Sequence, residues 1–386
     1  QRVTRDEHAQ SRLEVARPPA VVVSRFPPSR FPRSLFPVPA VAVSLFPPSL
    51  FSTVDSSPMK ILFYLGIALL VLFEAANVYF IMPMPFSQRM ASIDLAYFLY
   101  TWRWVFRIVA GVLIVAGARQ AYGVKAWRKT IPALATAVAC LMVYVLNFRM
   151  SADRMFLEPA SVTMRGVDGN VVEHARLIVG IEINGDARAY PVNFIGYHHQ
   201  VRDSAGGKPV MVSYCTVCRT GRVFEPLVDG KVENFRLVGM DHFNAMFEDR
   251  TTRSWWRQAT GEAITGDRKG KILAEVPSVQ VTLAQWLERH PKSLIMQPDS
   301  ALSRYYAQSF AYETGTSRSA LTGTDTASWK EKSWVVGVSI NGQDVAYDWN
   351  RLKRERVVND VVGGTPIVVV LAKDTMSFFA FQRPDT

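Results

Sequence analysis

The sequence predicts an α+β protein in which a β-rich, internally duplicated domain follows three transmembrane α-helices. Three observations predict this class. Apolar residues make up 49% of the 386-residue chain, and many of them form long runs before residue 150. A segment near the middle of the chain recurs near its end. Both copies read as short strands joined by glycine turns.

The three apolar segments run from Ile61 to Met82, from Leu95 to Gly117 and from Ile131 to Leu146. A helix that crosses a bilayer needs roughly 17 to 25 mostly apolar residues, and these segments approach or reach that length. We therefore expect residues 59–148 to form a three-helix transmembrane anchor, with the bilayer as its partner.

Basic residues near the spans predict the orientation. The second loop carries Arg119, Lys125, Arg128 and Lys129, whereas the first has only Arg89. Loops rich in Lys and Arg stay in the cytoplasm. We expect a multi-pass protein of the cytoplasmic (inner) membrane, with a cytoplasmic N-terminus and with residues 149–386 outside, which in a bacterium is the periplasm.

Residues 1–58 differ from the rest, because they are rich in Pro, Arg, Ser and Phe, and "SRFPPSRF" recurs as "SLFPPSLF". Such proline-interrupted sequence does not build a packed core, so a disordered or non-native extension is expected, with the native start at Met59. This extension inflates the net charge of +11. With no recognition motif beside it, the charge does not indicate a nucleic-acid partner.

Three ionisable residues lie inside the predicted spans, namely Glu74, Arg103 and Arg107. Counted from the span ends at about 1.5 Å per residue, Glu74 and Arg103 lie at a similar depth of roughly 12 Å. Buried charges in a membrane usually face a partner. We expect a Glu74–Arg103 pair that holds the bundle together.

The internal repeat aligns residues 179–224 with residues 336–381 without a gap, and about a third of the positions are identical. Gly185 and Gly342 mark hairpin turns that require positive φ. Between the copies, "TLAQWLERHP" from Thr282 predicts a helix with a threonine N-cap. Residues 300–333 are weakly patterned and are expected to be irregular.

The first copy contains a C-x-x-C motif, Cys215 and Cys218, preceded by His198. The second copy has Ala372, Thr375 and Glu355 at the corresponding positions. The scaffold can thus be built without these three side chains. Their presence in one copy favours a functional site over a structural crosslink.

A soft-metal site is the first hypothesis for this motif. Two thiolates and the His198 imidazole suit copper or zinc, with His199 or His242 completing the ligand set. The implied partner is another envelope protein that donates or accepts metal. Haem c is excluded, because Arg219 follows Cys218 where attachment needs histidine.

Other hypotheses use the same cysteines. A thiol–disulfide oxidoreductase would exchange disulfides through Cys215 and Cys218, but "RTGRVFEPL" predicts a turn and a strand where thioredoxin-type sites have an activating helix. A non-catalytic envelope scaffold with a structural disulfide is the second alternative. A cysteine nucleophile with a histidine base is the third.

Several ordered motifs resemble one family. "ARAYPVNFIGYHHQVRD", "GGKPVMVSYCTVCRTGRVF", "FEDRTTRSWWRQATGEAITG" and "VVGVSINGQDVAYDWNRL" are similar to the bacterial and archaeal family called domain of unknown function 3179, from about Val179 to the C-terminus. The resemblance implies a domain boundary and candidate residues, but no reaction; these residues are His198, Cys215, Cys218, Trp256, Gln258, Gly261 and Glu262. Family members usually have Pro and Gly where this chain has Thr216 and Arg219, which weakens a rubredoxin-type metal knuckle here.

Overall fold

The computed structural model of the chain describes residues 58–123, 129–159, 161–306 and 310–384. The predicted extension up to residue 57 lies outside the described residues, as do Lys125 and Arg128 of the basic loop. The architecture is α+β, as predicted, with helices first and a β-rich domain (residues 161–384) after them.

Helices dominate the first part of the chain. In chain order they are α1 (Pro58–Tyr79), α2 (Ile93–Thr101), α3 (Arg103–Tyr122), α4 (Thr130–Tyr144) and α5 (Ala152–Met155). A π-helical turn, Val145–Arg149, continues α4. Among the described residues, three helical segments are long and apolar enough to cross a membrane: Pro58–Tyr79, Arg103–Tyr122 and Thr130–Arg149.

The second predicted span is shorter than expected, because its first part is the separate helix α2. The helix is interrupted at Trp102, whose backbone has φ −91° and ψ 11°. Ala96 of α2 is buried in a small core with Trp255, Met246 and Val238. Some of the apolar residues in this predicted span thus pack against protein.

The predicted Glu74–Arg103 pair is corrected to Glu74–Arg107. Arg107 donates to both carboxylate oxygens of Glu74, at 2.7 and 3.0 Å. Asn147 completes the cluster by accepting from Arg107 at 2.7 Å and donating to Glu74 at 2.9 Å. Because α3 begins at Arg103, that residue lies at the helix end and Arg107 lies one turn deeper, level with Glu74.

The β-rich domain begins with elements that carry the C-x-x-C motif. In chain order they are β1 (Met164–Arg165), β2 (Leu177–Ile183), β3 (Asp186–Pro191), α6 (Val192–His198), β4 (Gln200–Ala205), β5 (Lys208–Cys215), β6 (Thr220–Glu225), β7 (Leu227–Val228), β8 (Lys231–Val232), β9 (Phe235–Asp241) and β10 (Asn244–Asp249).

The remaining elements contain the second copy of the repeat. They are β11 (Trp255–Arg257), β12 (Ala263–Thr265), β13 (Ala274–Glu275), β14 (Ser278–Thr282), α7 (Leu283–Arg289), β15 (Leu294–Met296), α8 (Ser303–Tyr306), α9 (Phe310–Glu313), β16 (Val335–Ile340), β17 (Gln343–Asp348), α10 (Trp349–Glu355), β18 (Val357–Val362), β19 (Thr365–Leu371) and β20 (Phe378–Gln382). The Thr282 side chain caps α7 by accepting from the Gln285 N–H, as expected.

Two four-stranded sheets enclose the core that holds the site. One has the order β13-β6-β5-β4 and the other β12-β11-β10-β9. Met211 and Phe224 from the first meet Phe247 and Trp256 from the second, with Cys215 among them. A five-stranded sheet, β1-β15-β3-β2-β14, covers a separate core on α6 and α7.

Both copies of the repeat have the order ββαβββ, β2 to β6 with α6 and β16 to β20 with α10. Tyr190 donates to Asp203 and Tyr347 donates to Asp360, each at 2.8 Å. Gly185 and Gly342 have φ of 81° and 78°, so the predicted turns are confirmed. The two copies therefore share internal hydrogen bonds as well as sequence.

Candidate functional site

The two cysteines lie on the loop that joins β5 to β6. Cys215 is the last residue of β5 and pairs with Thr220, the first residue of β6. Arg219, with φ of 53°, makes the tight return. A strand follows the motif, as predicted, and not a helix. Both cysteines are free thiols; Cys215 is buried and Cys218 is partly exposed.

Hydrogen-bond donors surround the Cys215 sulfur. Burial raises the pKa of this thiol, but hydrogen bonds from the Cys218 thiol and from the backbone N–H groups of Val217, Cys218 and Ala245 outweigh burial and lower the pKa from 9.0 to about 7. As a thiol, Cys215 donates to the Phe243 carbonyl at 3.5 Å. The site can therefore stabilise a thiolate at Cys215 without a helix dipole.

Cys218 is the protonated member of the pair. Its hydrogen bond to Cys215, together with burial, raises the pKa of this thiol well above 9.0. The Asn244 amide donates to the Cys218 sulfur at 3.1 Å and, with Thr220, opposes that increase in pKa. When the pair loses its first proton, the negative charge therefore lies on the buried sulfur of Cys215 and the remaining proton on Cys218.

Asn244 is held in place by the second four-stranded sheet. It begins β10 directly after a tight turn in which His242 and Phe243 have φ of 49° and 63°. Its amide also donates to Gln258 at 3.1 Å. Gln258, fully buried, donates in turn to Ser213 at 3.1 Å and to the Thr220 carbonyl at 3.0 Å.

His198, the predicted third ligand, points elsewhere. Its Nδ1 contacts the Leu157 carbonyl and its Nε2 lies 2.8 Å from the Tyr306 hydroxyl. Because a carbonyl only accepts, Nδ1 carries the proton and Nε2 accepts from Tyr306. Burial lowers the pKa of His198. Both ring nitrogens are therefore engaged.

The other two candidate histidines are engaged as well. His199 is buried against Phe156, with ring centroids 4.4 Å apart. Burial lowers the pKa of His199 to about 4. His242 lies on the turn before Asn244, and its Nδ1 is 2.7 Å from an Asp241 oxygen.

A three-ligand metal site is not formed in the part of the chain that the structure describes. No three His, Cys, Asp or Glu side chains there are grouped so that they could hold a metal ion. The reason is the position of His198 at the end of α6, where its ring meets Leu157 and Tyr306. Two thiols alone leave half of a zinc coordination shell unfilled.

The sequence model of a family described as "protein of unknown function (DUF3179)" matches residues 158–386. The chain belongs to this family. No curated protein matches the chain, and no solved structure matches it. The matched region contains both copies of the repeat and every candidate residue of the dithiol.

Other residues of the DUF3179 motifs support the dithiol loop or the sheet behind it. Gln258 braces Asn244, as described above. Trp256 is buried and donates to Asp249 at 2.8 Å. Gly261 has φ of 66°, and a Cβ there would lie 2.6 Å from the Phe224 ring. Glu262 lies in the β11–β12 connection, where its N–H donates to Thr260 at 3.3 Å.

Two residues of this DUF3179 site did not emerge from the sequence. Asn244 donates directly to a thiol, and the only signal was its position after a hairpin turn. Arg219 donates to the Glu313 carbonyl at 2.9 Å and stacks over Trp334 at 3.7 Å. Neither contact could be expected without knowing which segments fold over the motif.

Proposed function

We propose that this protein is a membrane-anchored dithiol that exchanges disulfides with partner proteins on the extracytoplasmic side. The observation that carries this proposal is the asymmetry of the two thiols. Cys215 is buried in a ring of N–H donors with a pKa lowered to about 7, and Cys218 is partly exposed beside it. One sulfur can receive a substrate while the other holds charge.

The first step is attack by Cys218. Its proton passes along the hydrogen bond to the Cys215 thiolate, which leaves a thiolate on Cys218. That thiolate attacks one sulfur of a partner disulfide, so that a mixed disulfide forms and the other partner sulfur leaves as a thiolate. The Asn244 amide stabilises the attacking sulfur.

The second step is resolution by Cys215. Its thiol gives the proton to the thiolate that left, and the resulting Cys215 thiolate attacks the Cys218 sulfur of the mixed disulfide. The second partner sulfur leaves and takes a proton from water. A Cys215–Cys218 disulfide forms, and the partner disulfide is reduced to two thiols. Running the steps backwards oxidises a partner dithiol.

The arrangement supports exchange over the alternatives that use the same cysteines. A soft metal ion would find two sulfur ligands, because both ring nitrogens of His198 already bond Leu157 and Tyr306 and no group of three ligands forms among the described residues. A purely structural disulfide would not need an amide donor aimed at a partly exposed sulfur. The donors around the pair favour a thiolate on Cys215, which can take the proton of Cys218 and so release the attacking thiolate.

The membrane part of the proposal rests on the three long apolar helices. The basic residues of the predicted second loop include Arg119, near the end of α3, and Lys129, just before α4. Positive charge at these ends supports a cytoplasmic position for that loop. The β-rich domain then lies on the opposite side, where disulfides form and persist.

Trapping the mixed disulfide tests the proposed exchange. The full chain with Cys140→Ser, to remove the third thiol, is incubated in detergent with a peptide that carries a labelled disulfide. Cys215→Ser in this background should accumulate the peptide on Cys218, whereas Cys218→Ser should remain unlabelled. Equal labelling of both variants, or of neither, would reject the proposed order of attack.

Metal content is measured on the same preparation, purified without oxygen. We expect a metal-free protein whose dithiol is oxidised and reduced reversibly by glutathione. Stoichiometric copper or zinc that is lost in Cys215→Ser would instead support the soft-metal hypothesis.

A further inference from the structure

We propose that α2 is an interfacial helix that holds the β9–β12 sheet, and with it the dithiol, against the surface of a phospholipid bilayer. This inference rests on the membrane insertion of α1, α3 and α4 proposed above. It goes further, because it assigns a lipid contact to a helix that does not span the membrane. The evidence is the division of α2 into two faces.

One face of α2 is built for protein contact. Ala96 is 1% exposed and packs in a core with Met246 and Ile264. The rings of Tyr97 and Tyr100 lie 5.1 and 5.2 Å from the Trp255 ring. These residues dock α2 on the sheet that also presents Asn244.

The opposite face is apolar and uncovered. Leu95, Phe98 and Trp102 are 48%, 49% and 52% exposed. Their spacing of three and four residues places them on one side of the helical path. Large apolar side chains in a row are unfavourable in water, and a tryptophan among them is typical of the membrane–water boundary.

The connection of α2 to α3 determines how deep this apolar face lies relative to the bilayer. Trp102 directly precedes Arg103, the first residue of the apolar helix α3. Arg103 turns back from that helix, because it donates to the Tyr100 carbonyl at 2.6 Å and its guanidinium lies 4.1 Å from the Tyr100 ring centre. A cation at the end of a span reaches for the interface in this way.

The first turn of α2 carries a charged residue that contacts the β-rich domain. Asp94, in its first turn, lies 3.3 Å from Lys269 of the β-rich domain. The ion pair is exposed and adds little stability. Its position keeps the start of α2 on the water side, so the exposed apolar side chains face the boundary between headgroups and acyl chains.

A second attachment keeps the same sheet close to the bilayer. The connection between α1 and α2 accepts two hydrogen bonds from the β9–β10 hairpin: Met240 N–H to the Ile81 carbonyl at 2.8 Å, and Phe243 N–H to Gln88 at 3.2 Å. Phe243 also accepts from Cys215. The hairpin beside the dithiol is therefore tied to the membrane end of α1.

Depth-dependent quenching tests the placement of α2. Single cysteines are introduced into the full chain with Cys140, Cys215 and Cys218 replaced by serine, labelled with a fluorophore, and reconstituted in phosphatidylcholine vesicles. Phe98→Cys and Leu95→Cys report on α2. Val112→Cys, in α3 and 62% exposed, is the deep reference, and Val171→Cys, 65% exposed in the β-rich domain, is the aqueous reference.

We expect nitroxides near the headgroup to quench both α2 labels several-fold more than the Val171→Cys label, and nitroxides near the bilayer centre to quench Val112→Cys most. Labels on α2 that match Val171→Cys, while Val112→Cys stays deeply quenched, would overturn the interfacial placement and leave membrane insertion intact. Labels on α2 as deep as Val112→Cys would also overturn it. An unquenched Val112→Cys would reject insertion itself.

Discussion

Asn244 directs its amide nitrogen at the sulfur of Cys218, 3.1 Å away. The orientation of this amide is fixed, because its oxygen accepts the Ala259 N–H at 2.9 Å. The nitrogen can therefore only point toward the thiol and Gln258. A side chain from one sheet thus favours the thiolate form of a sulfur on the other.

Removing this amide should slow disulfide exchange. In Asn244→Ala, the thiolate on Cys218 loses a donor whose net contribution is about 1 kcal/mol, which corresponds to roughly a fivefold slower reaction. The rate of mixed-disulfide formation in the Cys215→Ser background measures the effect. Asn359→Ala, an exposed residue on β18, is the matched control, and an equal rate in both variants would contradict the role of Asn244.

The buried His199 should make stability depend on pH. Burial lowers its pKa from 6.5 to about 4, so between these values the unfolded chain binds a proton that the folded chain does not. Above pH 6.5 His199 is neutral in both states and does not lower the free energy of unfolding. As the pH falls toward 4, protonation of the unfolded chain lowers the free energy of unfolding by up to about 3 kcal/mol. Other groups titrate in this range, so the difference from a variant is the quantity to measure.

His199→Asn is that variant, because asparagine tolerates the left-handed backbone at this position, where φ is 62°. Urea unfolding of the full chain in detergent should show a smaller loss of stability on acidification than the unmodified protein shows. A pH dependence that is unchanged by the substitution would mean that the pKa of His199 is not lowered in the folded state.

The stability of the helix bundle should depend more on Arg107, which pairs with Glu74, than on Arg103. Arg107→Ala leaves Glu74, whose side chain is 1% exposed, buried without its cation, and breaking a buried pair costs about 3 kcal/mol. Arg103→Ala should cost less than about 1 kcal/mol, because its contacts are with Tyr100 near the surface. Thermal unfolding in detergent measures the loss of stability in each variant. A larger loss in Arg103→Ala than in Arg107→Ala would support the Glu74–Arg103 pair expected from the sequence.

Gly261 should tolerate a side chain worse than Gly185 does. Both have positive φ, of 66° and 81°, so alanine pays about 1 kcal/mol of backbone strain at either position. Only at Gly261 does the new Cβ meet a ring, 2.6 Å from Phe224, whereas at Gly185 no atom lies within 4 Å. Denaturant unfolding should therefore show Gly261→Ala to be less stable by about a further 1 to 3 kcal/mol.

The sequence predicted the parts of the fold that depend on local chemistry. Asn-Gly and Gly-Gly pairs impose turns, and long apolar runs form helices. It could not separate α2 from α3, because the composition of residues 95–102 is the same whether they contact lipid or Trp255. That distinction depends on a sheet formed more than a hundred residues later.

The candidate site shows the same limit. C-x-x-C spacing on a strand-connecting loop brings two sulfurs together in any fold of this kind, so the pair itself was predictable. The direction of His198 was not, because it depends on the phase of the short helix α6 and on Tyr306. Asn244 reaches the thiols through sheet packing, which leaves no trace in local sequence.

The contact between Arg219 and Trp334 has a consequence for the order in which the molecule is made. Arg219 directly follows Cys218, yet its guanidinium rests on an indole from far along the chain. During synthesis, the cysteines therefore emerge well before the segment that clasps their loop. In the nascent chain both thiols are present before their surroundings have folded. The loop can adopt its final conformation only after Trp334, in the last third of the polypeptide, has been synthesised.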